Sequence, residues 1–141
     1  MGVADLDALE RFLAEPRNAI LIGLRRDGRP HATPNWFLWQ DGRFYVSTTK
    51  QRAKYRIFTE DPRVQVVIDD ATGFRYVVID ASVEVLEDID VGLDHFAGLR
   101  AKHGRHESTR DELRAEMERD ERVTLVITPA AAPAAWLSLG L

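Results

Sequence analysis

The tripeptide Asp-Gly-Arg occurs at residues 27–29 and again at 41–43. Asp-Gly suits the positive dihedrals of a tight hairpin, so each copy reads as a turn joining neighbouring antiparallel strands. The segments they separate fit that reading: "NAILIGLR" (18–25), "PHATPNWFLWQ" (30–40) and "FYVSTT" (44–49). Further on, "VQVVID" (64–69), "FRYVVIDASVEVLE" (74–87) and "RVTLVITP" (122–129) are β-rich in the same way. Pro34 interrupts the second strand and cannot donate to a ladder, which predicts an edge strand or a bulge. Helical spacing of Leu6, Leu9, Phe12 and Leu13 predicts a helix over 4–14, stopped at Pro16. Residues 52–60, 90–103 and 108–119 also read as helices, with a capping box from Thr109 to Glu112 opening the last. Six antiparallel strands with short helices predict a mainly β (α+β) domain whose sheet closes into a barrel to hide its edges. No βαβ rhythm is present, which argues against a doubly wound nucleotide fold.

The 141 residues suit one domain, 1–141, and 45% apolar residues suffice to fill its core. Cysteine is absent, so disulfides and thiolate metal sites are excluded, and a reducing, cytoplasmic setting is expected. The longest apolar runs, such as "AILIGL" (19–24), are too short to span a bilayer. A net charge of -4 argues against general nucleic-acid binding.

Within this acidic chain, "STTKQRAKYR" (47–56) gathers Lys50, Arg52, Lys54 and Arg56 where a strand meets a helix. Ser47, Thr48 and Thr49 offer hydroxyls, and the helix start offers free N–H groups and a positive dipole end. Cations in a first turn oppose that dipole unless something negative lies nearby. A bound phosphate would resolve the mismatch; a solvated basic helix face is the alternative. In "TPNWFLW" (33–39), Trp36 and Trp39 fall on opposite faces of a regular strand. One ring fills the core, and the other either lines a flat ligand or packs at an interface. "HGRHE" (103–107) has the residue types of a zinc site, but Gly104 and the loop character speak against one, and no metal is expected. No phosphate-cradling glycine motif and no activated nucleophile is present.

The order of "DGRPHATP", "DGRFYVST", "RAK" opening the helix and "DPRV" opening the next strand resembles the pyridoxamine 5'-phosphate oxidase-like family. The likeness continues through "FRYVVIDASVEV" and "DERVTLVITP", over roughly 18–129. It implies a six-stranded split β-barrel of the FMN-binding type, and the short chain is similar to the branch that uses the deazaflavin coenzyme F420. By that resemblance the chain is an oxidoreductase, its cofactor phosphate held by Ser47, Thr48, Thr49, Arg52 and Lys54, with Lys50 also binding the cofactor. The ring would lie across Thr33, Pro34, Asn35 and Trp36. Relatives are homodimers with sites at the interface, so Tyr76 and Trp136 of the second subunit would complete each site. Asn35 departs from the apolar residue expected there. The tail "APAAWLSLGL" lacks the basic residues of true pyridoxamine phosphate oxidases, which argues against vitamin B6 oxidation. The reduced cofactor would pass a hydride to a conjugated small molecule, with Tyr76 or His31 as the proton donor if a side chain serves. FMN is the alternative cofactor, and a non-catalytic carrier or a barrel for another phosphorylated ligand are the alternative roles. Exposed cations such as Lys50 and Arg56 favour F420, whose anionic tail they would follow, provided protein carboxylates do not already pair them.

Overall fold

The computed structural model describes residues 2–141. Asp5 caps the first helix, α1 (Leu6–Ala14), by accepting from the Ala8 N–H at 3.1 Å. The helix buries Leu9, Phe12 and Leu13, the apolar stripe of the sequence. Strands β1 (Asn18–Leu24) and β2 (Pro30–Trp36) then pair around residues 26–28, where Gly28 takes the left-handed conformation. At the second Asp-Gly both central residues, Asp41 and Gly42, have positive φ. That turn links β3 (Leu38–Gln40) to β4 (Arg43–Thr49).

Helix α2 (Ala53–Glu60) follows, then β5 (Arg63–Asp69) and the long β6 (Tyr76–Leu86). Helices α3 (Ile89–Lys102) and α4 (Arg110–Arg119) form a hairpin, with the Thr109–Glu112 capping box at the start of α4. Strand β7 (Arg122–Pro129), a 3-10 turn (Pro133–Ala135) and β8 (Leu137–Leu139) complete the chain.

The sheet runs β2-β1-β5-β6-β7-β4-β3, all antiparallel, with β8 added to β6. Curled, it is the split barrel. It has eight strands rather than six, for two physical reasons. The predicted strand 30–40 breaks at Phe37, whose fully buried ring interrupts the run; β2 pairs with β1 while β3 pairs with β4. The irregular tail also supplies β8, whose alternation of exposed Leu137, buried Ser138 and exposed Leu139 is too short to signal a strand. Pro34 lies on β2, at the sheet edge, where its missing N–H costs no ladder bond.

The barrel interior holds Phe12, Phe37, Phe44, Leu125 and Ile127. A second, smaller core of Leu93, Phe96, Leu113 and Met117 lies within the α3–α4 layer. That layer sits on the outer face of the sheet. Gly92 of α3 permits it: a Cβ there would stand 2.3 Å from Thr124 Oγ1. Beside it His95 stacks on Tyr45 at 3.8 Å between ring centroids.

Candidate functional site

Strand alternation divides the hydroxyls of 47–49 between two compartments. Phe44 and Val46 belong to the barrel core, so Thr48, two residues further, points the same way and is buried with its hydroxyl unpartnered. Ser47 and Thr49 point to the opposite face, towards the helical layer. On β7 their register partners are Thr124 and Arg122. Cross-strand partners share a face, so Arg122 joins Ser47 there, and its Nη1 donates to Ser47 Oγ at 3.3 Å.

Between this face and the helices lies a cavity of about 270 Å³. Pro34, Asn35 and Trp36 of β2 form one wall, and Ser47 and Arg52 stand beside them. Phe96, Leu99 and Arg100 of α3, Glu116 of α4 and Arg122 of β7 form the other side. Trp36 is 40% exposed and one of its faces is covered by the His103 ring, parallel at 3.9 Å. Trp39 takes the opposite fate, packing on Phe44 and Trp136. The Asn35 amide donates to the Thr33 carbonyl at 2.8 Å, which holds it along the strand.

Electrostatically the region is a row of cations with few acids. Arg52 is the N-cap of α2 without capping it through a side chain, and no acidic residue occupies the first turn. Lys54, in that turn, is only 5% exposed. Among the described residues neither side chain has an ion pair. Burial, and then Arg52, hold the Lys54 ammonium below the ordinary lysine pKa. Burial likewise lowers the Arg122 pKa; Glu116 and Asp120 oppose this, while Arg52 and Arg100 add to it.

Of the residues singled out in the sequence, the cavity thus collects Pro34, Asn35, Trp36, Ser47 and Arg52. Lys54 adjoins through its interaction with Arg52. Several others lie elsewhere. Thr48 faces the barrel interior. Lys50 is paired with Glu87 at 2.8 Å, and Tyr55 donates to the same carboxylate. This removes one of the two cations offered for an anionic cofactor tail. Trp136 is a core ring, 3% exposed, whose indole N–H donates to the Ala131 carbonyl, so it does not face outward to a second subunit. Tyr76 lies on β6 between Asp69 and Leu139, and His31 lies on β2; neither lines the cavity. His103 caps α3 and covers Trp36. Arg100, Glu116 and Arg122 escaped sequence reasoning. Arg122 joins Ser47 through a register between strands 75 residues apart, and no local pattern announces that.

Comparison with known proteins agrees with the architecture. The family model described as pyridoxamine 5'-phosphate oxidase matches residues 6–134. An F420 reductase of known structure is 25% identical, with a TM-score of 0.70, over 86% of this chain and 93% of that one. A conserved hypothetical protein from Mycobacterium tuberculosis is 19% identical, with a TM-score of 0.82, over 98% and 86%. The heme storage protein HutZ from Vibrio cholerae is 17% identical, with a TM-score of 0.75, over 100% and 97%. No curated protein matches the chain. No helix among the described residues is long and apolar enough to cross a membrane.

Proposed function

The chain belongs to the pyridoxamine 5'-phosphate oxidase family, and from that premise we propose that it is an oxidoreductase that binds coenzyme F420 beside β2 and reduces a conjugated small molecule. The observation that carries this reading is the pair Arg52–Lys54: a buried lysine and a neighbouring arginine at a helix start, with no acid in the turn. Such a pair calls for an external anion, and a phosphate suits both the helix start and the guanidinium fork. In this reading Arg52, Lys54 and the Ser47 and Thr49 hydroxyls hold the phosphate. Trp36, Pro34 and Asn35 support the ring edge. When bound, the reduced cofactor supplies a hydride, and water supplies the proton that completes reduction of the double bond. The protein then binds, orients and excludes solvent, which agrees with a cavity that lacks any activated nucleophile.

The likeness to an F420 reductase supports F420. The Lys50–Glu87 pair favours FMN as the second reading, because only Arg56 of the two tail cations then stays unpaired. We further propose that the active form is a homodimer. The β2 edge is open, and Phe74, Leu137 and Leu139 are exposed around the β6–β8 edge, an apolar surface that a second copy would cover.

Titration with F420 and with FMN, followed by fluorescence, tests the cofactor. Selective F420 binding that weakens in Arg52→Ala and Lys54→Ala is the expected result. Tight FMN binding instead moves the protein to the flavin reading. If neither ligand binds, the cofactor proposal falls. Sedimentation equilibrium tests the dimer, and a monomer at micromolar concentration refutes it.

A further inference from the structure

The same cavity carries two guanidiniums, of Arg100 and Arg122, that the cofactor reading leaves unused. Each arginine side chain has five N–H donors. Arg122 makes one side-chain hydrogen bond, to Ser47 Oγ, and its Nε is buried with no acceptor. Arg100 makes one, at 3.4 Å, to the exposed Glu107 on the rim. Both guanidiniums converge on one ring: the Phe96 centroid lies 5.1 Å from Arg122 Cζ and 5.9 Å from Arg100 Cζ.

Between them stands Glu116. Its carboxylate oxygen is 3.8 Å from Arg100 Nη1 and 4.0 Å from Arg122 Nε. Both separations exceed hydrogen-bonding distance. The protein's own acid therefore marks where a carboxylate goes without satisfying the donors there. The same cavity offers apolar and aromatic surface from Phe96, Leu99, Pro34 and Trp36 beside its polar groups.

We propose that Arg100 and Arg122 form a subsite for the carboxylate of a flat, unsaturated organic acid, whose body lies against Phe96, Leu99 and Trp36. The subsite uses different cations from the phosphate-binding pair Arg52–Lys54, which it adjoins through Ser47 and Arg52. That the bound acid is the hydride acceptor rests on the cofactor reading; that the acid binds does not.

The probes are cinnamate and its neutral counterpart cinnamamide, titrated calorimetrically into the whole protein without cofactor. Cinnamate binds, and cinnamamide binds at least about tenfold more weakly, because it forfeits the charge-assisted contacts. Arg122→Gln and Arg100→Gln weaken cinnamate roughly ten- to a hundredfold. Arg122→Lys restores only part of this, since lysine keeps the charge but not the fork. Glu116→Gln tightens binding by removing the internal competitor. Lys54→Ala leaves cinnamate affinity unchanged.

Equal binding of acid and amide, no binding to the wild type, or no change in folded Arg122→Gln each overturns the proposal. So does a loss in Lys54→Ala as large as that in Arg122→Gln, because the anion site would then be the phosphate site alone. Glu116→Gln and Arg122→Lys preserve side-chain volume and keep the test decisive should Arg122→Gln fail to fold. If cinnamate binds through Arg122 while F420 and FMN do not bind, the subsite stands and the cofactor reading falls.

Discussion

Replacing Lys54 with Met should stabilise the cofactor-free protein while weakening cofactor binding. Lys54 lies in the first turn of α2, where a positive charge opposes the helix dipole at a cost of about 0.3–1 kcal/mol. It is 5% exposed and repelled by Arg52, with no carboxylate in compensation. A fully buried, unpaired ion costs several kcal/mol, and methionine keeps the apolar stem while removing the ion. The net gain at neutral pH should be about 1–2 kcal/mol, or roughly 3–6 °C in Tm for a chain of this size. The sign with pH follows from the lowered pKa. Above the folded-state pKa the native lysine is already neutral while the unfolded one still holds its proton. Wild-type stability therefore rises with pH up to the unfolded lysine value, and the advantage of Lys54→Met shrinks across that window. Binding moves in the opposite direction: losing a charge-assisted phosphate contact costs about 1.5–3 kcal/mol, or roughly ten- to a hundredfold in Kd. Urea denaturation from pH 7 to 10, with and without cofactor, reads both effects. A Lys54→Met protein that is less stable without cofactor refutes the reasoning, because Lys54 would then have an internal partner.

Lys102 behaves differently, because its ammonium donates to the Leu13 carbonyl at 2.7 Å and the Phe37 carbonyl at 2.9 Å. Lys102→Met should destabilise by about 1–3 kcal/mol, measured by denaturation at pH 7. Burial lowers this lysine's pKa to about 8, so wild type should gain stability on the variant as pH rises from about 8 towards the unfolded value. Gly92→Ala should lower Tm by lifting α3 off β7, an overpacking cost of about 1–3 kcal/mol. Adding Thr124→Ala, which removes the clashing hydroxyl, should recover much of that loss, and a strictly additive double mutant would refute the contact. Lys50→Ala should leave F420 affinity within about fivefold of wild type, since exposed pairs such as Lys50–Glu87 carry only about 0.2–1 kcal/mol. A larger fall would show that Lys50 leaves Glu87 to reach the cofactor.

Most of the elements were legible in the sequence, though the break at Phe37 and the short β8 were not. Two Asp-Gly turns, the apolar stripe of α1 and the Thr109 capping box are local devices, readable because backbone conformation depends on near neighbours. The sequence also located half of the cavity, because Ser47 and Arg52 lie close together along the chain at the mismatch of a cationic helix start. Tertiary structure decided the rest. Strand alternation sent Thr48 into the barrel and left Ser47 outside, and packing against Phe44 and Trp39 turned Trp136 from an outward ring into core. The register of β4 with β7 brought Arg122 to Ser47, and the seating of α3 over Thr124 brought Arg100 and Glu116 to Arg122. Pairing register and helix docking are contacts between residues far apart in sequence, fixed by the shape and burial of whole faces. Short-range patterns specify which residues belong to a face, and only the folded sheet specifies which faces meet.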